Sequence, residues 1–196
     1  MNSPSPTSTG SGPQEGGDCI PNDILPQLLA RLAVERYIME GVKIAAPADP
    51  SGVLAERAGA FVTIRGPGGC LRGCIGTIQP LFENLADEII QNAINAATKD
   101  PRFPGIVIHE LGDLVYGVDV LSAPEPARGV EDLDPLRFGV IIETPDGNHR
   151  ALLLPGIEGI ETSDEQWRAV HSKAGIKQGT LVRVDRFTVR RYGKDT

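Results

Sequence analysis

Across residues 22–40 the apolar positions Leu25, Leu28, Leu29, Leu32 and Ala33 recur at three- and four-residue spacing, which predicts an amphipathic helix. Asn22 or Asp23 can cap it, Pro26 suits its first turn and Gly41 its stop. A Pro/Ala-rich connector follows, with one helical turn expected at Val53–Arg57. Ala60–Arg65 is β-rich, Gly66-Pro67-Gly68-Gly69 reads as a turn, and Cys70–Ile78 is extended, which together predict a hairpin ended by Pro80. The strongest periodicity lies in Leu81–Lys99. Leu81, Leu85, Ile89, Ala93 and Ala96 form its apolar stripe, Glu83, Asp87, Glu88, Gln91 and Asn95 its polar face, and Pro101 its break.

The second half reads mostly as strands. Leu114–Ser122 is one, and Gly139–Thr144 and Arg150–Leu154 flank the turn Pro145-Asp146-Gly147-Asn148, a strong hairpin signal. Thr162 and Glu165 form a capping box for a short helix to Ala174, closed by Gly175. Leu181–Tyr192 alternates as one long strand. Strict βαβ alternation is absent, so the expected class is α+β, mostly antiparallel sheet with flanking helices, and a doubly wound parallel sheet is disfavoured.

Composition narrows the function classes. The chain has 196 residues, 40% of them hydrophobic, enough for one compact domain or two small lobes sharing a core. No stretch approaches the roughly 18 consecutive apolar residues of a membrane-spanning helix. With 19 basic and 26 acidic residues the net charge is −7, the wrong sign for a protein built to coat nucleic acid. In residues 1–18, 13 are Ser, Pro, Thr or Gly, so this segment reads as a disordered tail, leaving residues 19–196 as a single domain. Three cysteines (Cys19, Cys70 and Cys74) without a secretory signal fit a reducing cytoplasm better than a disulfide framework.

The most unusual segment is Leu71-Arg72-Gly73-Cys74-Ile75-Gly76-Thr77. Glycines inside a strand mark a bulge or a close approach by a backbone or ligand. In a regular strand Arg72 and Cys74 share one face about 6.6 Å apart, and a cation near a thiol favours the reactive thiolate. Cys74 is therefore a candidate nucleophile or ligand-contacting thiol with Arg72 beside it. The competing reading is a small packed cysteine next to a structural arginine. After the long helix, Asp100 can receive the Arg102 guanidinium or an amide while Phe103 anchors the loop. Arg72 with Arg102 could alternatively bind a carboxylate or phosphate.

Cys70 and Cys74 have no third ligand nearby in sequence, so no metal site is expected. His109, His149 and His171 are scattered and read as surface or turn residues. The glycine turn at 66–69 lacks the Gly-Lys-Ser/Thr ending of a phosphate loop. Arg183, Arg186, Arg190, Arg191 and Lys194 are split between two strand faces, which fits pairing with acidic neighbours better than a nucleic-acid groove.

Gly59-Ala60-Phe61-Val62-Thr63 followed by Leu71-Arg72-Gly73-Cys74-Ile75-Gly76 resembles the signature of the AMMECR family. The blocks Asp100-Pro101-Arg102-Phe103-Pro104, Val120-Leu121-Ser122 with Pro124-Glu125, and Leu152-Leu153-Leu154-Pro155 leading into Gly159 are similar as well. The resemblance implies two unequal lobes with the hexapeptide strand in the cleft between them. It makes Gly73, Ile75, Gly76, Thr77, Asp100, Arg102 and Phe103 binding candidates around Cys74 and Arg72. Members of the AmmeMemoRadiSam type imply a Memo-like protein and a radical-SAM protein as partners, and the resemblance brings neither a reaction nor a cofactor. Gly117 stands where a polar or acidic strand residue is expected and Asp119 where Ser is common, and Cys70 is an individual addition.

Overall fold

The computed structural model describes residues 20–193. The 1–18 tail, Cys19 and Lys194 lie outside them. Three helices, α1 (Pro26–Glu40), α2 (Leu85–Thr98) and α3 (Ser163–Ala174), combine with eight strands. These are β1 (Ala60–Arg65), β2 (Leu71–Gly76), β3 (Val115–Leu121), β4 (Glu125–Ala127), β5 (Gly139–Glu143), β6 (Arg150–Leu153), β7 (Arg183–Phe187) and β8 (Val189–Tyr192). They form two four-stranded antiparallel sheets, ordered β2-β1-β3-β8 and β4-β7-β5-β6. The α+β class expected from the pattern is the one observed.

Each sheet hides one face under helix. Ala60, Val62 and Ile64 alternate inward from β1 and pack with Leu29, Ala33, Leu85, Ile89 and Ala93 of α1 and α2. Gly73 lets α2 come down directly on β2, because a Cβ there would sit 2.1 Å from the Ala96 carbonyl oxygen. The second lobe packs Val140, Ile142, Leu153 and Val184 against Val170 and Ala174 of α3. A third apolar cluster joins the lobes, with Leu121, Ile141, Leu152 and Phe187 meeting Phe61, Ile78, Leu154 and Val189.

Several expectations change. The stretch 181–192 is not one strand. Val182 and Leu181 precede β7, and at Thr188 the chain leaves the second sheet for the first, where β8 pairs with β3. The first helix is capped without a side chain from Asn22 or Asp23, since Leu25 is the extended N-cap and Pro26 the first helical residue. Its buried stripe is Leu29, Ala30, Ala33 and Val34, while Leu25 and Leu28 stand about half exposed. The second helix starts at Leu85 and not at Leu81, because the Asn84 side chain accepts the Asp87 N–H and fixes the start there. Leu81 consequently lies outside the helix and is exposed.

Glu88, assigned to the polar face, is buried, and so is His171, whose Nδ1–H donates to the Trp167 carbonyl at 2.9 Å. The Thr162–Glu165 capping box and the left-handed Gly41 and Gly175 stops form as the pattern predicts. No helix among the described residues is long and apolar enough to cross a membrane.

Candidate functional site: the Cys74 thiol and its loop hook

Strand β2 is an edge of its sheet, and an uncovered edge offers unpaired backbone groups. The loop after α2 covers it. Asp100, itself buried, accepts the Cys74 N–H at 2.8 Å, and Arg102 returns a bond from Nη2 to the Cys74 carbonyl at 3.3 Å. Asp100 also accepts from Arg102 Nε and Nη2 at 2.9 and 2.7 Å and from the Arg102 N–H at 3.1 Å. This two-residue hook thus satisfies both backbone groups of Cys74. The Arg102 bonds, with the Cys74 amide, hold the Asp100 carboxyl well below the usual carboxylate range against the opposing effect of burial.

The side chains of β2 alternate. Gly73 faces α2, while Arg72, Cys74 and Gly76 face the other side. Cys74 is directly opposite Thr63, and its Sγ lies 3.3 Å from the Thr63 hydroxyl. Thr63 is in turn opposite Gly117, and Phe61 is opposite Gly76 on one side and Asp119 on the other. The Phe61 ring lies over Gly76, where a Cβ would come within 2.4 Å of it. On the outer face of the sheet the Phe61 ring therefore fills the space over Gly76, Gly117 stays open, and the half-buried Cys74 and Thr63 lie between them. Asp119 at its far side pairs with Arg191 at 3.3 Å.

Arg72 and Arg102 do not share an anion. Arg72 is fully engaged by Glu110, through Nε to Oε1 at 2.6 Å and Nη2 to Oε2 at 2.9 Å, and by the Pro104 carbonyl at 3.0 Å. That fork holds the Glu110 carboxyl below its ordinary value. The guanidinium that reaches Cys74 is Arg102, through the Cys74 carbonyl, and its pKa is raised mainly by its Asp100 bonds. More than half of its side chain is exposed. Same-strand spacing pointed to Arg72; the long loop from α2 brings Arg102 instead. Phe103 stays beside its neighbour, with the Arg102 guanidinium over its ring at 5.4 Å.

Thr77 and Ile75 take different positions. Ile75 packs against the first core. The Thr77 hydroxyl donates to Glu88, which also accepts from the Leu81 and Phe82 N–H groups at 2.8 and 3.1 Å. Asn92 closes this buried group, its Nδ2 donating to the Ala60 carbonyl at 3.0 Å and to Thr77 at 3.2 Å. Glu88 escaped the sequence reading because a carboxylate on a periodic helix resembles a solvated position. Its signal was its place one turn beyond the Asn84 cap, within reach of the preceding turn. Among the described residues no group of three or more His, Cys, Asp or Glu gathers as a metal set.

The family model for AMMECR1 matches residues 28–195, which takes in the hook, the thiol strand and both sheets. The chain belongs to the AMMECR1 family. A Thermotoga maritima protein of the family is 49% identical over 162 residues, covering 81% of this chain and 91% of that protein. A Clostridium acetobutylicum protein is 40% identical over 168 residues; the match covers 84% of this chain and about a third, 35%, of that longer protein. The crystal structure of the uncharacterised protein PH0010 from Pyrococcus horikoshii superposes with a TM-score of 0.77 at 30% identity. It covers 89% of this chain and 94% of the other.

Proposed function

We propose that this AMMECR1 domain handles a small anionic ligand at the outer face of its first sheet, with Cys74 as the contacting or attacking thiol and Arg102 as the anion's partner. One observation carries the reading: Cys74 is half-buried with its sulfur 3.3 Å from the Thr63 hydroxyl, and the half-exposed Arg102 guanidinium is held beside the same residue by its bond to the Cys74 carbonyl. The Asp100–Arg102 hook fixes the Cys74 backbone, so the thiol is presented at a defined place. The Asp100 and Cys74 bonds of Arg102 use its Nε and Nη2, which leaves the Nη1 donors of a half-exposed side chain for a carboxylate. Thr63 offers a hydroxyl that can donate a hydrogen bond to the ligand or to the Cys74 sulfur.

Alkylation tests this directly, using the full chain with Cys19 and Cys70 replaced by Ser. In the reagent reaction the Cys74 sulfur bonds the reagent's CH2 carbon and iodide departs with its bonding electrons. Iodoacetate should react faster with Cys74 than with the Cys70 of a chain that keeps Cys70 alone, relative to neutral iodoacetamide in each case. Arg102→Gln should abolish that preference for the anion. Equal selectivity at both cysteines, or a preference surviving the Arg102 change, overturns the reading.

A second reading places the domain beside other proteins, a Memo-like protein and a radical-SAM protein. It is favoured by the Clostridium relative, in which the matching segment makes up only 35% of a longer chain. A domain joined to additional sequence in one relative fits a role performed in company. Co-purification of the three proteins tests it, and absence of association with either partner counts against it.

A further inference from the structure

A concavity lies away from Cys74, where one end of the first sheet meets the crossing to the second lobe. It has a volume of about 450 Å3 and is walled by four separate stretches of chain: residues 56–59, 78–80, 120–124, and Thr188 with Arg190. Cavities of this size at the junction of two structural units are common ligand sites. Its floor is rigid. The Ser122 N–H donates to the Thr188 carbonyl at 2.9 Å, and the Thr188 N–H donates to the Ser122 hydroxyl at 3.0 Å, locking the two places where the chain changes sheets.

The lining divides by chemistry. Ile78, Pro80, Leu121 and Pro124 supply apolar surface, while two arginines supply charge. These two are held very differently. Arg190 is bound by both oxygens of Glu56, whose carboxyl is held below its ordinary value by that bond. Arg57 has a weak contact of 3.5 Å to the Pro80 carbonyl and a 3.9 Å approach to Glu83, whose side chain is 93% exposed. An exposed pair at that distance contributes little, so a ligand anion can take the Arg57 guanidinium at small cost. Glu56 and Arg190 on the same wall neutralise each other, so a second anionic group would find no further free cation there among the described residues.

We propose that the cavity at the lobe junction binds a small amphipathic monocarboxylate, with Arg57 receiving the carboxylate and the Ile78, Pro80, Leu121 and Pro124 surface receiving the apolar body. With Arg190 neutralised by Glu56, Arg57 is the one unneutralised cation among the described residues of the lining, so the site favours a monoanion over dianions such as phosphate monoesters and dicarboxylates. The bound molecule would brace both sheet crossings, so its affinity is coupled to the relation between the lobes. This site is separate from the thiol face, and neither reading depends on the other.

Titration of the full chain, followed by calorimetry and by amide chemical shifts, decides it. The probes are hexanoate and phenylacetate, with hexanol and hexylamine as size-matched controls and adipate as the dianion. The two acids should saturate, shift amides of residues 57–59 and 121–123, and bind more tightly than alcohol, amine or adipate. Arg57→Gln should weaken hexanoate about tenfold or more, as expected for one lost charge-assisted hydrogen bond. Ala123→Trp, on an exposed rim position, should block binding without altering the unfolding midpoint, and Cys74→Ser should leave it unchanged. Absence of saturable acid binding, equal binding of hexanol, or indifference to both the Arg57 and Ala123 changes overturns the proposal.

Discussion

Asp100 shows how one carboxylate can hold a candidate site. It is buried, yet it accepts four hydrogen bonds, from the Cys74 amide and from the Arg102 amide and guanidinium. Asp100→Asn retains the shape but gives up the charge, and should destabilise the protein by about 2 kcal/mol at neutral pH. The pH dependence follows from the depressed pKa. A carboxyl lowered in the folded state contributes its full stability above the unfolded value, near about pH 3.9, and loses it as the pH falls toward the folded value. The gap between wild type and Asp100→Asn in urea titrations should therefore be constant from about pH 7 to 5 and narrow below about pH 4. A gap unchanged in strong acid would show that charge is not what Asp100 supplies.

The residues around Cys74 were partly legible from the chain. Strand alternation placed Arg72 and Cys74 on one face, because the period of a strand is a local property. It could not place Arg102. That guanidinium arrives through a loop whose course is set by the covering of an edge strand, and nothing in residues 71–77 encodes it. Arg72 looked available because its partner Glu110 is 38 positions away in sequence.

Among the elements, the β1–β2 hairpin and the α3 capping box were readable because each is closed by residues a few positions apart. The start of α2 was not. The pattern carried the helix back to Leu81, whereas the segment before Asn84 is a turn folded over the buried Glu88. Glu88 gathers the Leu81 and Phe82 amides, the Thr77 hydroxyl and Asn92, so it joins the end of β2 to the start of α2. Glu88→Ala leaves these buried donors without their acceptor and should cost about 3 kcal/mol or more. Hydrogen exchange checks the mechanism. The Leu81 and Phe82 amides should lose protection before the α2 amides do, and unchanged protection at those two would refute it.

Across the whole molecule, the two lobes are held by an apolar cluster and by a polar strut. Arg191 pairs with Asp119 on β3 and also donates to the Pro155 carbonyl of the second lobe. Its side chain is 45% exposed, so Arg191→Met should cost only about 1 kcal/mol in global stability. The larger effect should be local, as faster hydrogen exchange at residues 156–160 with the amides of both sheets unchanged. Uniformly faster exchange would show that Arg191 stabilises the fold generally and does not act as a strut. The two-sheet arrangement was the least legible feature in the sequence. The alternation of 181–192 continues past the point of crossing, and the switch at Thr188 is decided by which neighbours each half finds.

That crossing also governs the order in which a nascent chain can mature. Strands β1, β2 and β3 leave the ribosome early and can close three-quarters of the first sheet over α1 and α2. In the second sheet β7 lies between β4 and β5, so that sheet stays split until β7 emerges. A product terminated before residue 183 would carry a nearly finished first lobe attached to an open β5 edge of sequence Gly-Val-Ile-Ile-Glu, the kind of apolar edge that recruits other chains. For this fold, the β7 segment Arg183–Phe187 separates a closed molecule from an aggregation-prone one.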